Sequence, residues 1–129
     1  MDPRMDAIKN VLGSKLGSCI GGVAWFQAGF DEIVALRDLG HLDMDDSQSE
    51  SCPTPAQFLD LAVGVPDFVF VGYVVESSRD DARITIDEVL VPSYAYFAIQ
   101  ALSESEPDES ESILVEGKDF PCLVRYWWD

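Results

Sequence analysis

Residues 68–76 read FVFVGYVVE, and this stretch sets the architecture of the chain. Its β-branched and aromatic residues favour a strand. Both alternating sets of side chains are apolar, which is expected of a strand in the centre of a covered sheet. In residues 82–91, Ile84 and Ile86 alternate with polar residues, and this alternation predicts an antiparallel neighbour with one buried face.

Helices are predicted on either side of this strand pair. Each combines apolar residues at a spacing of three and four with a start or stop signal. The predicted helices cover residues 3–16, starting at Pro3; residues 31–39, with Asp31 as N-cap and Leu39 facing inward; residues 55–63, with Thr54 as N-cap; and residues 94–102, with Ser93 as cap and Tyr94 and Phe97 among the apolar side chains.

The remaining strands are predicted from shorter signals. The apolar stretch at 19–26 contains Gly21 and Gly22, which weaken a helix, so a strand is favoured there. Residues 113–115 and 120–128 are expected to pair as a hairpin through a short turn that contains Gly.

The composition indicates one folded, strongly acidic domain. The 129 residues carry 24 Asp and Glu against 8 Lys and Arg, a formal net charge of −16, and 47% are hydrophobic. That apolar fraction is too high for a disordered acidic chain, so the charge is expected on the surface of a packed core. The elements above then predict a single α+β domain over residues 1–129, with four or five mostly antiparallel strands and about four helices packed on the sheet.

The charge and the cysteine usage exclude several classes of partner and compartment. Nucleic acids and anionic membranes repel a surface of this sign, so no direct binding to either is expected. No apolar run approaches the roughly 20 residues of a membrane span. The acidic start, MDPRMD, lacks the apolar region of a signal peptide. Cys19, Cys52 and Cys122 follow no disulfide or zinc pattern, so a reducing, cytoplasmic location is predicted.

Two acidic segments are the leading candidates for partner binding. The first contains Asp43, Asp45, Asp46 and Glu50, and the second contains Glu104, Glu106, Asp108, Glu109 and Glu111. Carboxylates gathered on one face would present a field like that of a phosphate backbone and attract a basic nucleic-acid-binding enzyme. A solvated charge run without a specific partner is the alternative.

The aromatic end of the chain, Tyr126, Trp127 and Trp128, is the second candidate for partner binding. Adjacent side chains on a strand point to opposite faces, so at most one of the two Trp side chains is fully inward. The outward one is a candidate interface anchor, because Trp and Tyr are enriched at binding hot spots. The alternative is an edge strand whose exposed Trp packs on a neighbouring loop.

A catalytic alternative depends on Cys19. The sequence GSCIG at 17–21 fits a Gly-x-nucleophile-x-Gly turn, with His41 as the base and Asp43 or Asp31 to orient it. A helix is predicted before this motif, where the motif requires a strand. The many carboxylates also raise a thiol pKa, which counts against a reactive cysteine.

Adjacent carboxylates and metal ligands give weaker signals. The pairs Asp80-Asp81 and Asp87-Glu88 are candidates for a carboxylate hydrolase, although neighbours on a strand face opposite ways. Glu88 interrupts the apolar face, which suggests a β-bulge or an edge. The acidic run at 43–54 lacks the Gly and Glu that a calcium-binding EF-hand loop needs at set positions, so no metal or cofactor is expected.

In charge and size this chain resembles phage-encoded inhibitors of host defence nucleases and immunity proteins that neutralise basic toxins. The resemblance is one of composition and assigns no residue. Together with the charge, it predicts a non-catalytic inhibitor or immunity protein, or a nucleic-acid mimic, whose partner is a basic protein acting on nucleic acid. The alternatives are a small cysteine- or carboxylate-based hydrolase, and a soluble accessory protein whose acidity is an adaptation to a salt-rich cytoplasm.

Overall fold

The computed structural model describes residues 2–114 and 121–129. Within these residues the chain forms four α-helices and one five-stranded sheet. In chain order the elements are α1 Pro3–Leu12, a 3-10 helix Gly13–Lys15, β1 Val23–Ala28, α2 Phe30–Asp38, α3 Pro55–Ala62, β2 Val69–Val75, β3 Arg83–Pro92, α4 Tyr96–Ser103, β4 Glu109–Leu114 and β5 Pro121–Trp127.

The strand order in the sheet is β1-β2-β3-β5-β4, and every neighbouring pair is antiparallel. The strand predicted from FVFVGYVVE is β2, and it lies between β1 and β3 as expected. The predicted α+β fold with a mostly antiparallel sheet is confirmed. Strand β4, which carries Glu109 and Glu111, is an outer strand of the sheet.

One face of the sheet and one side of every helix form a shared core. Phe26, Phe70 and Ile86 are buried on that face, together with Tyr126. The alternate residues, such as Trp25 on β1, point to the opposite face and are more exposed. The helices contribute Met5, Ile8, Leu12, Ile33, Leu36, Phe58, Leu59, Ala62, Ala98 and Leu102 to the same core. Among the described residues, no helix is long and apolar enough to cross a lipid bilayer.

A β-bulge interrupts the pairing of β2 with β3. Val71 is opposite Glu88 and Gly72 is opposite Ile86, so Asp87 has no partner residue on β2. A bulge near Glu88 agrees with the sequence prediction. Gly72 is required here, because a Cβ atom at this position would lie 1.9 Å from the carbonyl oxygen of Thr85.

The first helix and the first strand differ from their predicted bounds. Helix α1 ends at Leu12 instead of continuing to residue 16, because Gly13 adopts a φ of 55° that terminates the α-helix. The strand predicted at 19–26 lies at Val23–Ala28 instead. Gly21 and Gly22, with φ values of 61° and 82°, form the turn that precedes it.

The predicted caps are correct for α3 and wrong for α2. Thr54 Oγ1 accepts a hydrogen bond of 3.2 Å from the Gln57 amide, as predicted for the N-cap of α3. Helix α2 begins at Phe30, and its N-cap is Gly29, two residues before the predicted N-cap Asp31. The Gly29 amide donates to Glu32 Oε1 over 3.1 Å. Leu39, predicted to face inward, is 52% exposed because the helix has ended before it.

Helix α4 begins at Tyr96, three residues after the cap predicted at Ser93. Ala98 and Leu102 face the core, at the four-residue spacing of one helical face. Tyr94 and Phe97, the large apolar side chains of the predicted helix, remain 54% and 79% exposed.

Strand β4 begins at Glu109, inside the second acidic segment and four residues before the strand predicted at 113–115. The antiparallel pairing of β4 with β5 agrees with the predicted hairpin. Its predicted turn at 116–119 lies outside the described residues.

Candidate functional site

The first acidic segment lies in the long connection between α2 and α3. Its apolar residues Leu42 and Cys52 are buried and fix the connection against the core. The carboxylates of Asp43, Asp45 and Asp46 are exposed. Asp43 Oδ1 accepts a hydrogen bond of 3.0 Å from the Asp45 amide, which makes a local turn. This part of the segment therefore presents charge to solvent without building a cavity.

The second acidic segment follows α4 directly. Glu104 is the residue that ends the helix, and it is exposed. Glu106 has a φ of 54°, a left-handed conformation that non-glycine residues rarely adopt, and it reverses the chain toward β4. The Asp108 amide then donates a hydrogen bond of 2.9 Å to the Trp127 carbonyl, which starts the pairing with β5.

The two segments converge at the end of β5. A surface depression of about 610 Å³ lies between them. It is lined by Ser49, Glu50, Ser51, Glu106, Asp108 and Asp129. The structure thus brings together Glu50, Glu106 and Asp108 of the predicted set and adds Asp129. Asp43, Asp45, Asp46 and Glu104 do not line this depression.

Most of the basic side chains of the described residues are already paired with carboxylates. The ion pairs join Lys15 to Glu32, Arg37 to Asp38, Arg79 and Arg83 to Asp81, and Arg125 to Glu88, Glu109 and Glu111. Glu109 and Glu111, both predicted to bind a partner, therefore interact with Arg125. Over residues 2–114 and 121–129, no such pair engages Glu50, Glu106 or Asp108.

An apolar groove adjoins the acidic depression. It lies between α3 and α4, has a volume of about 520 Å³, and shares Glu50 and Ser51 with the depression. Its other lining residues are Cys52, Pro53, Gln57, Asp60, Leu61, Phe97, Ala101 and Ser105. This groove is not predictable from the sequence, because the pattern of apolar residues in α4 does not show that Phe97 stays exposed.

The aromatic end is mostly internal. Tyr126 and Trp128 are buried, and Trp128 packs edge-on against Phe58 with ring centroids 5.5 Å apart. Tyr126 and Trp128, both predicted to bind a partner, are therefore inaccessible to a partner in the folded chain. Trp127 points to the other face of the sheet and is half-buried. The predicted alternation of the two Trp side chains is confirmed.

Asp87, a member of the adjacent carboxylate pair Asp87-Glu88, is an ionisable group inside the fold. It is 4% exposed, and its Oδ1 atom has no hydrogen-bond partner among the described residues. Burial raises the pKa of Asp87 to about 6, and the neighbouring Glu88 carboxylate adds to the increase. A hydrogen bond from the Trp127 side chain opposes it. Asp87 is enclosed in the fold, so it does not belong to the surface site. Its ionisation state affects the folding stability of the chain instead.

The geometry does not support the nucleophile turn proposed for Cys19. Cys19 precedes strand β1, whereas that motif requires a strand before the nucleophile and a helix after it. The Cys19 thiol lies 3.5 Å from Glu76 Oε2 and lines a cavity of about 530 Å³ to which His41 does not contribute. The carboxylates predicted to orient that base, Asp31 and Asp43, do not line this cavity either.

Cys52, in contrast, is buried beside Asp87. Its thiol lies 3.4 Å from the Pro53 carbonyl oxygen and 3.8 Å from that of Ile86. Burial raises the pKa of the Cys52 thiol to about 11. This cysteine is therefore a packing residue that keeps its proton at neutral pH.

Among the described residues, no three His, Cys, Asp or Glu side chains are arranged to hold a metal ion. Comparisons of the chain with protein-family models, with curated proteins and with solved structures found no match. The assignment of a function therefore depends on the chemistry of the surface.

Proposed function

We propose that this chain is a non-catalytic interaction protein, of the inhibitor or immunity type, that binds a basic protein acting on nucleic acid. The observation that carries the proposal is the convergence of Glu50, Glu106 and Asp108 from two separate segments. None of the three is ion-paired to a described residue. Because no described cation neutralises them, these carboxylates can attract a basic partner.

The sign and size of the charge favour a cationic partner. At a formal net charge of −16, the chain repels polyanions and attracts basic surfaces over about one Debye length, roughly 8 Å at physiological ionic strength. Such a field accelerates association and orients the partner before contact. A protein that binds nucleic acid offers the matching surface, because it uses Lys and Arg to neutralise phosphates. Occupying those side chains would inhibit it.

The test uses two variants of equal charge. Glu50→Gln/Glu106→Gln/Asp108→Asn removes three negative charges from the depression. Asp6→Asn/Asp31→Asn/Asp80→Asn removes three from exposed positions elsewhere, so both change the formal net charge from −16 to −13. The parent chain and each variant are titrated by calorimetry against purified basic nucleases and DNA-binding proteins, over a series of salt concentrations. The set includes proteins whose genes neighbour the gene of this chain.

The expected result is nuclease inhibition and binding that weaken steeply with salt. The depression variant loses about tenfold or more in affinity, whereas the control variant loses far less. Binding that is indifferent to salt, or equal losses in both variants, would contradict the proposal. The salt-adapted alternative makes a different prediction, namely that folding itself requires molar salt, and urea unfolding at low and high salt measures this directly.

A further inference from the structure

We infer that the groove between α3 and α4 is the docking site for a short basic amphipathic helix of the partner. The apolar side chains of the docked helix would lie between Leu61 and Phe97, and its Lys and Arg side chains would reach the neighbouring carboxylates. The inference rests on the proposed function, and it names the partner segment and the surface that receives it.

The shape of the groove suits one helix. Phe97, Ala101 and Ser105 follow each other at four-residue spacing and form one wall, while Gln57, Asp60 and Leu61 form the other. The eight residues of α3 are roughly 12 Å long, which corresponds to about two turns of a docked helix. An amphipathic helix places apolar side chains into such a groove at the same three-and-four spacing.

The exposed aromatic residue is the argument for an apolar occupant. Phe97 is 79% exposed, although it stands next to the buried Ala98 on the same helix. A large aromatic side chain exposed at the rim of an apolar cavity is typical of binding sites in soluble proteins. A partner residue that covers Phe97 would remove apolar area from water on both surfaces.

The charges around the groove are the argument for a basic occupant. Glu50 and Asp60 line the groove, and Glu106, Asp108 and Asp129 line the adjoining depression. No Lys or Arg of the described residues lines either cavity. The same charge disfavours a second copy of this chain as the occupant, because two such surfaces repel each other.

The probe is a fluorescein-labelled helical peptide of about 14 residues, with Leu at helical spacing and Lys and Arg at the other positions. A peptide of the same composition in scrambled order, without an apolar face, is its control. Binding of both to the full chain is measured by fluorescence anisotropy. Phe97→Ala tests the groove. Tyr96→Ala is the matched control variant, because Tyr96 is also 79% exposed and adjacent but does not line the groove.

We expect the amphipathic peptide to bind more tightly than the scrambled one. Phe97→Ala weakens its binding about tenfold, Phe97→Leu restores most of the affinity, and Tyr96→Ala changes it by less than about twofold. Urea unfolding confirms that each variant is folded.

Three other outcomes overturn the inference and can be told apart. If both peptides bind equally, or if Phe97→Ala and Tyr96→Ala have equal effects, the groove is not the docking site. In that case, salt-dependent binding of a basic protein still supports the proposed function. If neither a basic peptide nor a basic protein binds, the proposed function fails with it. Dimerisation that sedimentation detects and that Phe97→Ala abolishes would assign the groove to a second copy.

Discussion

The Arg125 guanidinium lies 2.6 Å from the Glu88 carboxylate, measured from Nε to Oε1, and this contact joins β5 to β3. The same guanidinium is within 3.1 Å of Glu109 and 3.7 Å of Glu111 on β4. One cation therefore holds carboxylates of two flanking strands. In a chain with so few basic residues, its loss leaves three acidic side chains facing each other.

Arg125→Met is expected to lower the free energy of unfolding by about 1–3 kcal/mol, because it leaves the half-buried Glu88 unpaired beside two like charges. Arg37→Met is the control, since Arg37 pairs with Asp38 on an exposed helix surface, where such pairs contribute less than about 1 kcal/mol. Urea unfolding midpoints measure both. A cost of Arg125→Met no larger than that of the control would show that this ion-pair cluster does not stabilise the sheet.

Gly72→Ala is expected to destabilise the fold by about 3 kcal/mol or more. The added Cβ would lie 1.9 Å from the Thr85 oxygen and 3.0 Å from the Ile86 Cα, so the central strands must separate. Gly29→Ala is the matched control, because its Cβ would meet only Glu32 at 3.6 Å, an ordinary contact. Thermal unfolding compares the two, and similar losses would contradict the steric explanation.

The stability of the chain should depend on the ionisation of Asp87. Its folded pKa of about 6 exceeds the ordinary value of 3.8, so the folded chain binds the proton more tightly than the unfolded chain. The contribution is therefore fully present below pH 3.8 and is lost as the pH rises through 6. Two pKa units correspond to roughly 3 kcal/mol at most.

Asp87→Asn tests this dependence, since an amide resembles the protonated carboxyl group. We expect the variant to be more stable than the parent chain at about pH 8, and this advantage to shrink toward pH 4. Other carboxylates titrate in both proteins, so the difference between the two unfolding curves isolates Asp87. Asp80→Asn, at an exposed position, controls for the loss of one charge. A difference that stays constant with pH would refute the assignment.

Cys19 and Cys52 should differ in reactivity. Cys19 is exposed, whereas Cys52 is buried and its pKa is raised to about 11 from 9.0. We expect iodoacetamide to alkylate Cys19 in the folded chain and to modify Cys52 roughly a hundredfold more slowly than in urea, because the thiolate is the reactive form. Peptide mapping by mass spectrometry follows each site separately. Rapid labelling of Cys52 without urea would contradict its burial.

The sequence predicts the elements whose signals are local. Helix α3 begins where Thr54 and Pro55 predict, because a capping side chain and a fixed φ act within one turn. Strand β2 is interior, as its two apolar faces indicate. The end of α1 is not predicted, because Leu16 continues the apolar three-and-four spacing of the helix. In the structure, Leu16 lies beyond Gly13 and forms an isolated β-bridge with Phe26 on β1.

The site depends on tertiary relations that a pattern does not contain. Acidity is visible in the composition, but the meeting of Glu50 with Glu106 depends on the path of the chain after α4. Helix α4 begins two residues later than predicted, and its packing on the rest of the fold decides that Ala98 is buried and Phe97 is exposed. The contact of Arg125 with Glu88 depends on the register of β3 against β5, which sequence periodicity alone does not determine.

Strand β4 limits how far the sheet can grow. An outer strand offers unpaired backbone groups to any other extended chain, and this is how many proteins form fibrils. Here Glu109 and Glu111 alternate with Ser110 and Ser112 along that border, so an incoming copy would bring its own carboxylates against them. The like charges on this border therefore disfavour fibrillar assembly through β4.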